Sequence, residues 1–448
     1  MTEADRYYQK MTRTPVSKLI VNLGIPTTVS MLITNIYNLA DTYFVGGLGE
    51  SEQAATGILF TLQAIIQALA FMLGHGSGTY VSKALADRDP REASCYASTA
   101  FFTGAFAGTV LGVLGLIFLN PLVRLLGSTE TILPHAVDYG MWVLIACPFM
   151  VCSLILNNNL RYEGKAFFAM IGLTTGGVLN IFGDYLLIRV LDLKVFGAGL
   201  STAFSQVVSF LILLIFYVKT AQAKLRLSMV SHRFNVYTEI VKGGFPSLIR
   251  QGLSSISNGL LNNFTKPFGD AAIAAMSVTN RFSAFVMCVG LGIGQGFQPV
   301  AAFNYRAKEY RRVKRGLVFT TLFGLAFVGV LALFGFVFSP QILRFFQKSE
   351  RVMEVGVFAL RFACVGILFL PLSVPVNMLY QSIRRHAVAS FLSLLRSGAL
   401  FIPALLIGAS AFGLKGIQAA QPVADILTGL ASLPFAVHFL RRDHSLYE

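Results

Sequence analysis

Charge is what this sequence has least of. Only 13% of its 448 residues are Asp, Glu, Lys or Arg, about half the usual share of a soluble globular chain. Cysteine is scarce as well. Cys95, Cys147, Cys152, Cys288 and Cys364 lie in or beside apolar runs, with no CxxC and no His at metal spacing. That excludes a disulfide scaffold and a zinc site, and the thiols read as small apolar residues of helices. No GxxxxGK[ST], HExxH or GxSxG occurs, and the six histidines are scattered. A polytopic membrane enzyme would need a nucleophile, a metal cluster or a phosphate loop, so an enzyme is not expected. What the chain does have is apolar bulk. It is 55% hydrophobic with 39 Phe, and its mean hydropathy is +0.66. Those values exclude a water-soluble fold of this length and a disordered chain. The apolar runs are long and unbroken, which excludes the alternating strands of about ten residues found in outer-membrane barrels.

The expected fold is therefore an all-α polytopic membrane protein. A spanning helix needs about 20 apolar residues. Twelve segments qualify, near 19–47, 53–82, 94–120, 135–159, 166–189, 195–218, 240–265, 271–305, 316–340, 353–381, 387–411 and 414–439. They are numbered span 1 to span 12 below. Residues 1–18 are polar and basic and are read as a cytoplasmic segment, with no cleavable signal peptide.

The net charge of +15 belongs to the loops. Twenty-four of the 36 basic residues fall on one side, at the N-terminus, after every even-numbered span and at the C-terminus. Eight fall on the other: Arg124, Arg189, Lys194, Lys266, Arg344, Lys348, Arg351 and Lys415. The excess of Lys and Arg on the cytoplasmic side places both termini there. Nucleic acid is not an expected partner; the lipid bilayer is. The expected location is the inner membrane of a bacterium or archaeon.

The chain also repeats itself. A shift of 220 residues lays 20–91 over 240–311 without a gap and matches Gly24 with Gly244, Pro26 with Pro246, Asn38 with Asn258, Gly49 with Gly269, Gly74 with Gly294 and Gly76 with Gly296. Each half carries six spans, so both enter the membrane in the same direction, as in transporters built from parallel repeats. The expectation is two pseudo-symmetric six-helix lobes, 19–218 and 240–440, with a cytoplasmic linker at 219–239 and a tail at 441–448. Gly74-His75-Gly76-Ser77-Gly78 looks like a phosphate loop, but it lies inside span 2 and reads as a close helix contact.

A charge at the bilayer centre costs about 2.5–3.5 kcal/mol on insertion scales, so each one asks for a reason. Asp41, Asp184 and Asp425 sit well inside spans; Arg250, Arg281, Arg361 and Arg396 are the basic counterparts, all in the second half. At 1.5 Å per residue, Asp41 lies about 33 Å along span 1 and Asp184 about 27 Å along span 5, so the two reach a similar depth. Asn180 and Tyr37 stand one turn before Asp184 and Asp41 on the same helix faces. Thr202, near the start of span 6, fits the same depth.

Two carboxylates in a low-dielectric space resist ionising together and release protons in coupled steps. Such a pair can exchange H⁺, or bind Na⁺ with oxygens from Asn180 and Thr202. Tyr37 offers a face for a cation, and Asn157 and Gln206 are candidate cavity residues. The second half keeps neither acid, since the repeat places Leu261 opposite Asp41 and Ala404 opposite Asp184. Asp425 is expected either to pair with a second-half arginine or to meet substrate. Pro26 removes the bond to the Asn22 carbonyl and is a candidate bend point.

These residues resemble the MATE family of multidrug and toxic compound extrusion transporters. The stretches that carry the resemblance are Leu23-Gly24-Ile25-Pro26, Asn38 to Gly46, Leu179 to Ile188, Gly197 to Ala203 and Glu163-Gly164-Lys165. The resemblance implies an antiporter, working as a monomer and without a cofactor. It would expel amphipathic, cationic drugs in exchange for H⁺ or Na⁺ by alternating access. It assigns Asp41, Asn180, Asp184 and Thr202 to a first-lobe cation site. Another branch of the family has an acid midway along span 7; here Arg250 to Ser255 carries none. An alternative on the same plan is a flippase for a lipid-linked or anionic substrate, which Arg250, Arg281 and Arg396 would suit.

Overall fold

The computed structural model describes residues 3–346 and 350–442. Lys348 and residues 443–448 of the expected tail lie outside them. Among the described residues there are helices and no strands. This follows from the solvent: in hydrocarbon a backbone must satisfy its own hydrogen bonds, and a helix does so within one segment.

Of the twelve expected spans, eleven, counting broken span 10 as one, are long and apolar enough to cross a membrane. Helices form over all twelve, with ends a few residues from those expected. They are Val16–Gly46, Glu50–Ala86, Pro90–Ile117, Leu133–Tyr162, Ala166–Val190 and Lys194–Thr220, then Phe234–Thr265, Asp270–Arg306, Tyr310–Val337, the pair Glu350–Ile367 and Leu370–Ser382, His386–Phe412 and Leu414–Arg441. Span 10 is broken, and its two pieces meet at 45°. Span 7 is the least apolar because Glu239, Lys242 and Arg250 interrupt it. Short helices Leu119–Leu125 and Ser339–Phe346 follow spans 3 and 9 at positions 220 apart, and Glu3–Arg13 precedes span 1. Spans 5 and 11 each contain a π-helical stretch, Tyr185–Val190 and Leu395–Ala399.

The surface is apolar where lipid would lie. Phe106, Phe182, Phe204, Leu322 and Val330 are each more than half exposed, which a water-soluble monomer would not tolerate over so wide an area. The interior is packed on small residues instead. Gly104, Gly108, Gly112 and Gly115 of span 3 are buried, and a Cβ on Gly108 or Gly112 would stand 2.8 Å from Pro148 Cα or 2.6 Å from the Leu144 carbonyl of span 4. Without a hydrophobic force between helices, close backbone approach supplies the attraction.

The repeat is written into the coordinates. Arg88 and Lys308, 220 apart, both take a left-handed φ, 59° and 61°, at the turns after spans 2 and 8. Asn157 donates to the Ala169 carbonyl at 3.1 Å, and Asn377 donates to the Ala389 carbonyl at 2.7 Å. Both partners of the second bond lie 220 residues beyond those of the first.

Packing does not divide the chain at 219–239, as expected for a linker between lobes. One compact unit comprises the chain up to Tyr8 and Val29–Leu248; the other comprises Gln9–Thr28 and the chain from Ile249 onward. Two causes are visible. First, the segment after span 6 is strapped to the first unit. The Lys224, Arg226 and Ser231 amides donate to Ser94 Oγ, Ser98 Oγ and Thr99 Oγ1 at 2.8, 3.0 and 3.0 Å. Second, the opening parts of spans 1 and 7 are exchanged. In the first unit Gly76 lies against Ile240 and Gly244; in the second Gly296 lies against Ile20 and Gly24. Gly76 belongs to the stretch that resembled a phosphate loop, and Gly296 is its equivalent in the repeat. They have no room for a side chain: a Cβ on Gly76 would fall on the Ile240 carbonyl.

Candidate functional site

The candidate site lies in the first unit, among spans 1, 2, 4, 5 and 6. Asp41, Asn180, Asp184 and Thr202 are all buried, with Asp184 fully so. Asp184 is the last residue of the regular α-helix in span 5, where the π-helical stretch begins. A π-turn widens the helix and is common at functional sites.

Asp41, Thr202 and Asn180 are linked through hydrogen bonds. Asn180 Nδ2 donates to Thr202 Oγ1 at 3.2 Å and to Ser201 Oγ at 3.4 Å. Ser201 Oγ donates in turn to the Asn180 carbonyl at 2.9 Å. Tyr139 of span 4 reaches across: its hydroxyl donates to Asp41 Oδ2 at 2.9 Å and lies 3.4 Å from Thr202 Oγ1. Gln63 Nε2 of span 2 donates to that hydroxyl at 3.5 Å. Asp184 lies within electrostatic range of Asp41.

Buried polar atoms are nearly always hydrogen-bonded, so exceptions call for an explanation. Among the described residues Asp41 Oδ1, Asn180 Oδ1 and both carboxylate oxygens of Asp184 are buried without a hydrogen-bond partner. These are four oxygens on three side chains, two of them carboxylates. Oxygen donors of this kind suit a hard cation or a proton. Among the described residues no group of three or more His, Cys, Asp or Glu stands together.

Tyr37 lies within electrostatic range of both Asp41 and Asp184, and Gln206 stands beside its hydroxyl. Both residues thus join the cluster. Asn157 does not, because its amide is committed to the Ala169 carbonyl. Pro26 is buried within span 1, which stays helical from Val16 to Gly46. The boundary between the two packing units falls two residues later, between Thr28 and Val29.

Sequence reasoning missed Tyr139, Gln63 and Ser201. A usable signal existed for Tyr139. A tyrosine six residues into a span needs a partner for its hydroxyl when buried, and spans 1 and 5 both offer acids near its depth.

The second unit treats its intramembrane charge differently. Arg396 Nε donates to Asp425 Oδ1 at 2.8 Å, and Gln421 Nε2 donates to the same oxygen at 2.9 Å. Asp425 is thus paired with a second-half arginine. Arg250 donates to Asn377 Oδ1 at 3.1 Å. Arg361 Nε donates to Ser339 Oγ at 3.0 Å, near the end of span 9.

Comparison with known proteins agrees with this arrangement. The MatE family model matches residues 26–186 and again 246–406; both bounds of the second stretch lie 220 beyond those of the first. The multidrug export protein MepA of Staphylococcus saprophyticus is 26% identical over 445 residues, covering 99% of this chain and 97% of its own length. MepA of Staphylococcus aureus strain N315 is 26% identical over 446 residues with the same coverage. A crystal structure of a MATE protein in complex with MaL6 shares the fold, with a TM-score of 0.91, 23% identity and coverage of 98% and 99% of the two chains.

Proposed function

Because the chain belongs to the MatE family, and is therefore a membrane transporter and not an enzyme, we propose that it exports drugs by exchanging them for H⁺ or Na⁺ at the Asp41–Asp184 site. The observation that carries this reading is the set of four buried oxygens without hydrogen-bond partners on Asp41, Asn180 and Asp184. Leaving such groups unpaired inside a membrane is costly, and an arriving cation removes the cost. The naming of the MepA relatives as multidrug exporters supports the choice of cargo.

Competition for charge is enough for coupling. With both acids deprotonated the cluster is negative and attracts a cationic amphipathic drug, for which Tyr37 offers an aromatic face. A proton or Na⁺ entering among Asp41, Asn180, Asp184 and Thr202 neutralises that charge and weakens the drug's hold. Each ligand then lowers the affinity of the other by the same factor. Tyr139, donating to Asp41, fixes the orientation of one carboxylate and leaves its second oxygen for the ion. Pro26, next to the point where span 1 passes between packing units, is the proposed bend. The basic loop side is taken as cytoplasmic, with both termini there, in a bacterial or archaeal inner membrane.

Purified protein in proteoliposomes tests this. An inward-directed H⁺ or Na⁺ gradient imposed alone should drive movement of a fluorescent organic cation in wild type and not in Asp184→Asn. Equal transport in both would place coupling elsewhere. A second reading, export of an anionic or lipid-linked substrate, is favoured by one observation. Arg250 and Arg396 stand on one small pocket of the second unit with Asn377, Ser393 and Ser397. Transport of an anionic dye but not a cationic one would support that reading over the first.

A further inference from the structure

Arg361 of the second unit stands at the membrane edge opposite the basic loops. Its guanidinium meets the end of span 9. Nε donates to Ser339 Oγ at 3.0 Å and to the Phe336 carbonyl at 3.4 Å, and the guanidinium carbon lies 5.4 Å from the centre of the Phe336 ring. The charge-free part of span 9 begins at Gly316. At 1.5 Å per residue it reaches Phe336 after about 30 Å, which is the thickness of the hydrocarbon core. The guanidinium therefore sits where hydrocarbon gives way to headgroups. Its surroundings agree with that depth. Phe334, Phe336, Phe338, Phe345 and Phe346 are all exposed near this end, as rings are at a membrane interface.

The charge of Arg361 is not met by an acid. Arg361 is exposed, and among the described residues both of its hydrogen bonds use Nε, which leaves the two terminal amino groups for another partner. No carboxylate of the described residues lies within ion-pair distance of it. Gln347, Lys348 and Ser349, which fall outside the described residues, add no acid. A second cation stands close by. Phe358, one turn before Arg361 on span 10 and 43% exposed, has Lys415 Nζ 6.0 Å from its ring centre. Lys415 is exposed in the first turn of span 12. Glu354, one turn further toward water, pairs with neither base. Both bases thus rest on exposed rings. The repeat shows that they are particular to this unit. The residues 220 before Arg361 and Lys415 are Met141 and Val195, whereas Arg344 is matched by Arg124.

We infer that Arg361 and Lys415 hold the phosphodiester of a phospholipid in the leaflet opposite the basic loops. A cation at this depth is costly to leave unpaired, and a lipid phosphate is the anion that this depth supplies. The planar guanidinium offers its two terminal amino groups to two phosphate oxygens as a fork, and the Lys415 ammonium adds a point charge. The exposed rings of Phe336 and Phe358 give the acyl chains an apolar bed, which a free anion would not use. Capping the end of span 9 needs only Nε of Arg361 and gives Lys415 no part, so it does not account for the pair.

The full-length protein in detergent, titrated with phosphatidylglycerol or with a galactosyl diacylglycerol of the same chains and read by native mass spectrometry, tests the assignment. Each basic residue near a headgroup contributes roughly a factor of five. Wild type should therefore retain phosphatidylglycerol about twentyfold more strongly than the galactolipid. Arg361→Gln and Lys415→Gln should each lower that preference about fivefold, and the double variant should lose it. Arg124→Gln, on the same side of the first unit, should leave it intact. Lys415 is exposed, so its variant keeps the test open if Arg361→Gln does not fold. Three outcomes would overturn the assignment. The first is unchanged retention in either single variant, which for Arg361→Gln with a lowered melting temperature would leave Arg361 as a cap of span 9 alone. The others are an equal loss in Arg124→Gln and saturation of the site by glycerol phosphate, which has no acyl chains.

Discussion

The two units share one backbone plan and differ in how they handle charge inside the membrane. In the first, no basic side chain among the described residues pairs with Asp41 or Asp184, and the cluster around them ends in oxygens without hydrogen-bond donors. In the second, Asp425 is held by Arg396 and Gln421. The skeleton beneath is the same, as the paired bonds of Asn157 and Asn377 show. A buried carboxylate with its own arginine is satisfied within the chain; one without is left neutral or open to a proton or a cation. The unit with unpaired acids is the one to which the proposed ion exchange is assigned.

The largest effect expected from breaking this contrast is loss of coupling. Asp41→Asn and Asp184→Asn should each abolish gradient-driven efflux in proteoliposomes while the protein still inserts and remains monodisperse. The double variant should be little worse than either single one, because groups that act as a unit are not additive. A double variant far worse than both would mean that the acids serve separate steps.

The second-unit pair should respond in the opposite way. Arg396→Leu leaves a buried charge uncompensated and should cost about 3–5 kcal/mol of stability, whereas replacing both partners with apolar residues should restore most of it. Thermal unfolding of Arg396→Leu, Asp425→Leu and the double variant checks this, and the double variant should keep ion-driven efflux. If it folds well but does not transport, the pair belongs to the mechanism.

The exchanged helix contacts should behave alike in both units. Gly76→Ala and Gly296→Ala each put a methyl group against backbone, on Ile240 and on Gly24. Each should lower stability by about 1–3 kcal/mol, the usual cost of overpacking. A melting-temperature drop in one variant and none in the other would show that the exchange is not symmetric in strength.

The smallest effect is expected at Tyr139→Phe. It removes one donor to Asp41 and keeps the ring, so efflux should fall several-fold and its dependence on H⁺ or Na⁺ should shift. Activity and ion dependence identical to wild type would show that Asp41 needs no help from span 4.

Much of this was legible in the sequence because the membrane makes a simple demand: each span must be long and apolar. The similar depths of Asp41, Asp184 and Thr202 followed from rise per residue, and the place of Asn180 followed from the helix face it shares with Asp184. What stayed hidden depends on contacts between spans. Tyr139 has no charge to mark it, and its bond to Asp41 is fixed by how span 4 packs on span 1. Depth placed Asn157 near the cavity, and only the packing of spans 4 and 5 shows that its amide donates to the Ala169 carbonyl. The π-helical stretch after Asp184 is a tertiary feature without a local signature, whereas the break in span 10 falls just before Pro371, a residue that interrupts helical hydrogen bonding. The segment after span 6 reads as a polar linker, and only the hydroxyls of Ser94, Ser98 and Thr99 show that it is tied to the first unit.

The claim that ion and drug compete at the first-unit acids is tested most directly by reciprocal binding. The affinity of purified protein for a fluorescent lipophilic cation would be measured across pH and Na⁺ concentration. The release of H⁺ or Na⁺ on adding that cation would be measured in weakly buffered solution. The account predicts that wild type binds the cation more weakly as the coupling ion rises and releases that ion when the cation binds, and that Asp41→Asn and Asp184→Asn lose both responses. Cation binding that ignores pH and Na⁺ in wild type, or ion release that survives in both variants, would contradict it.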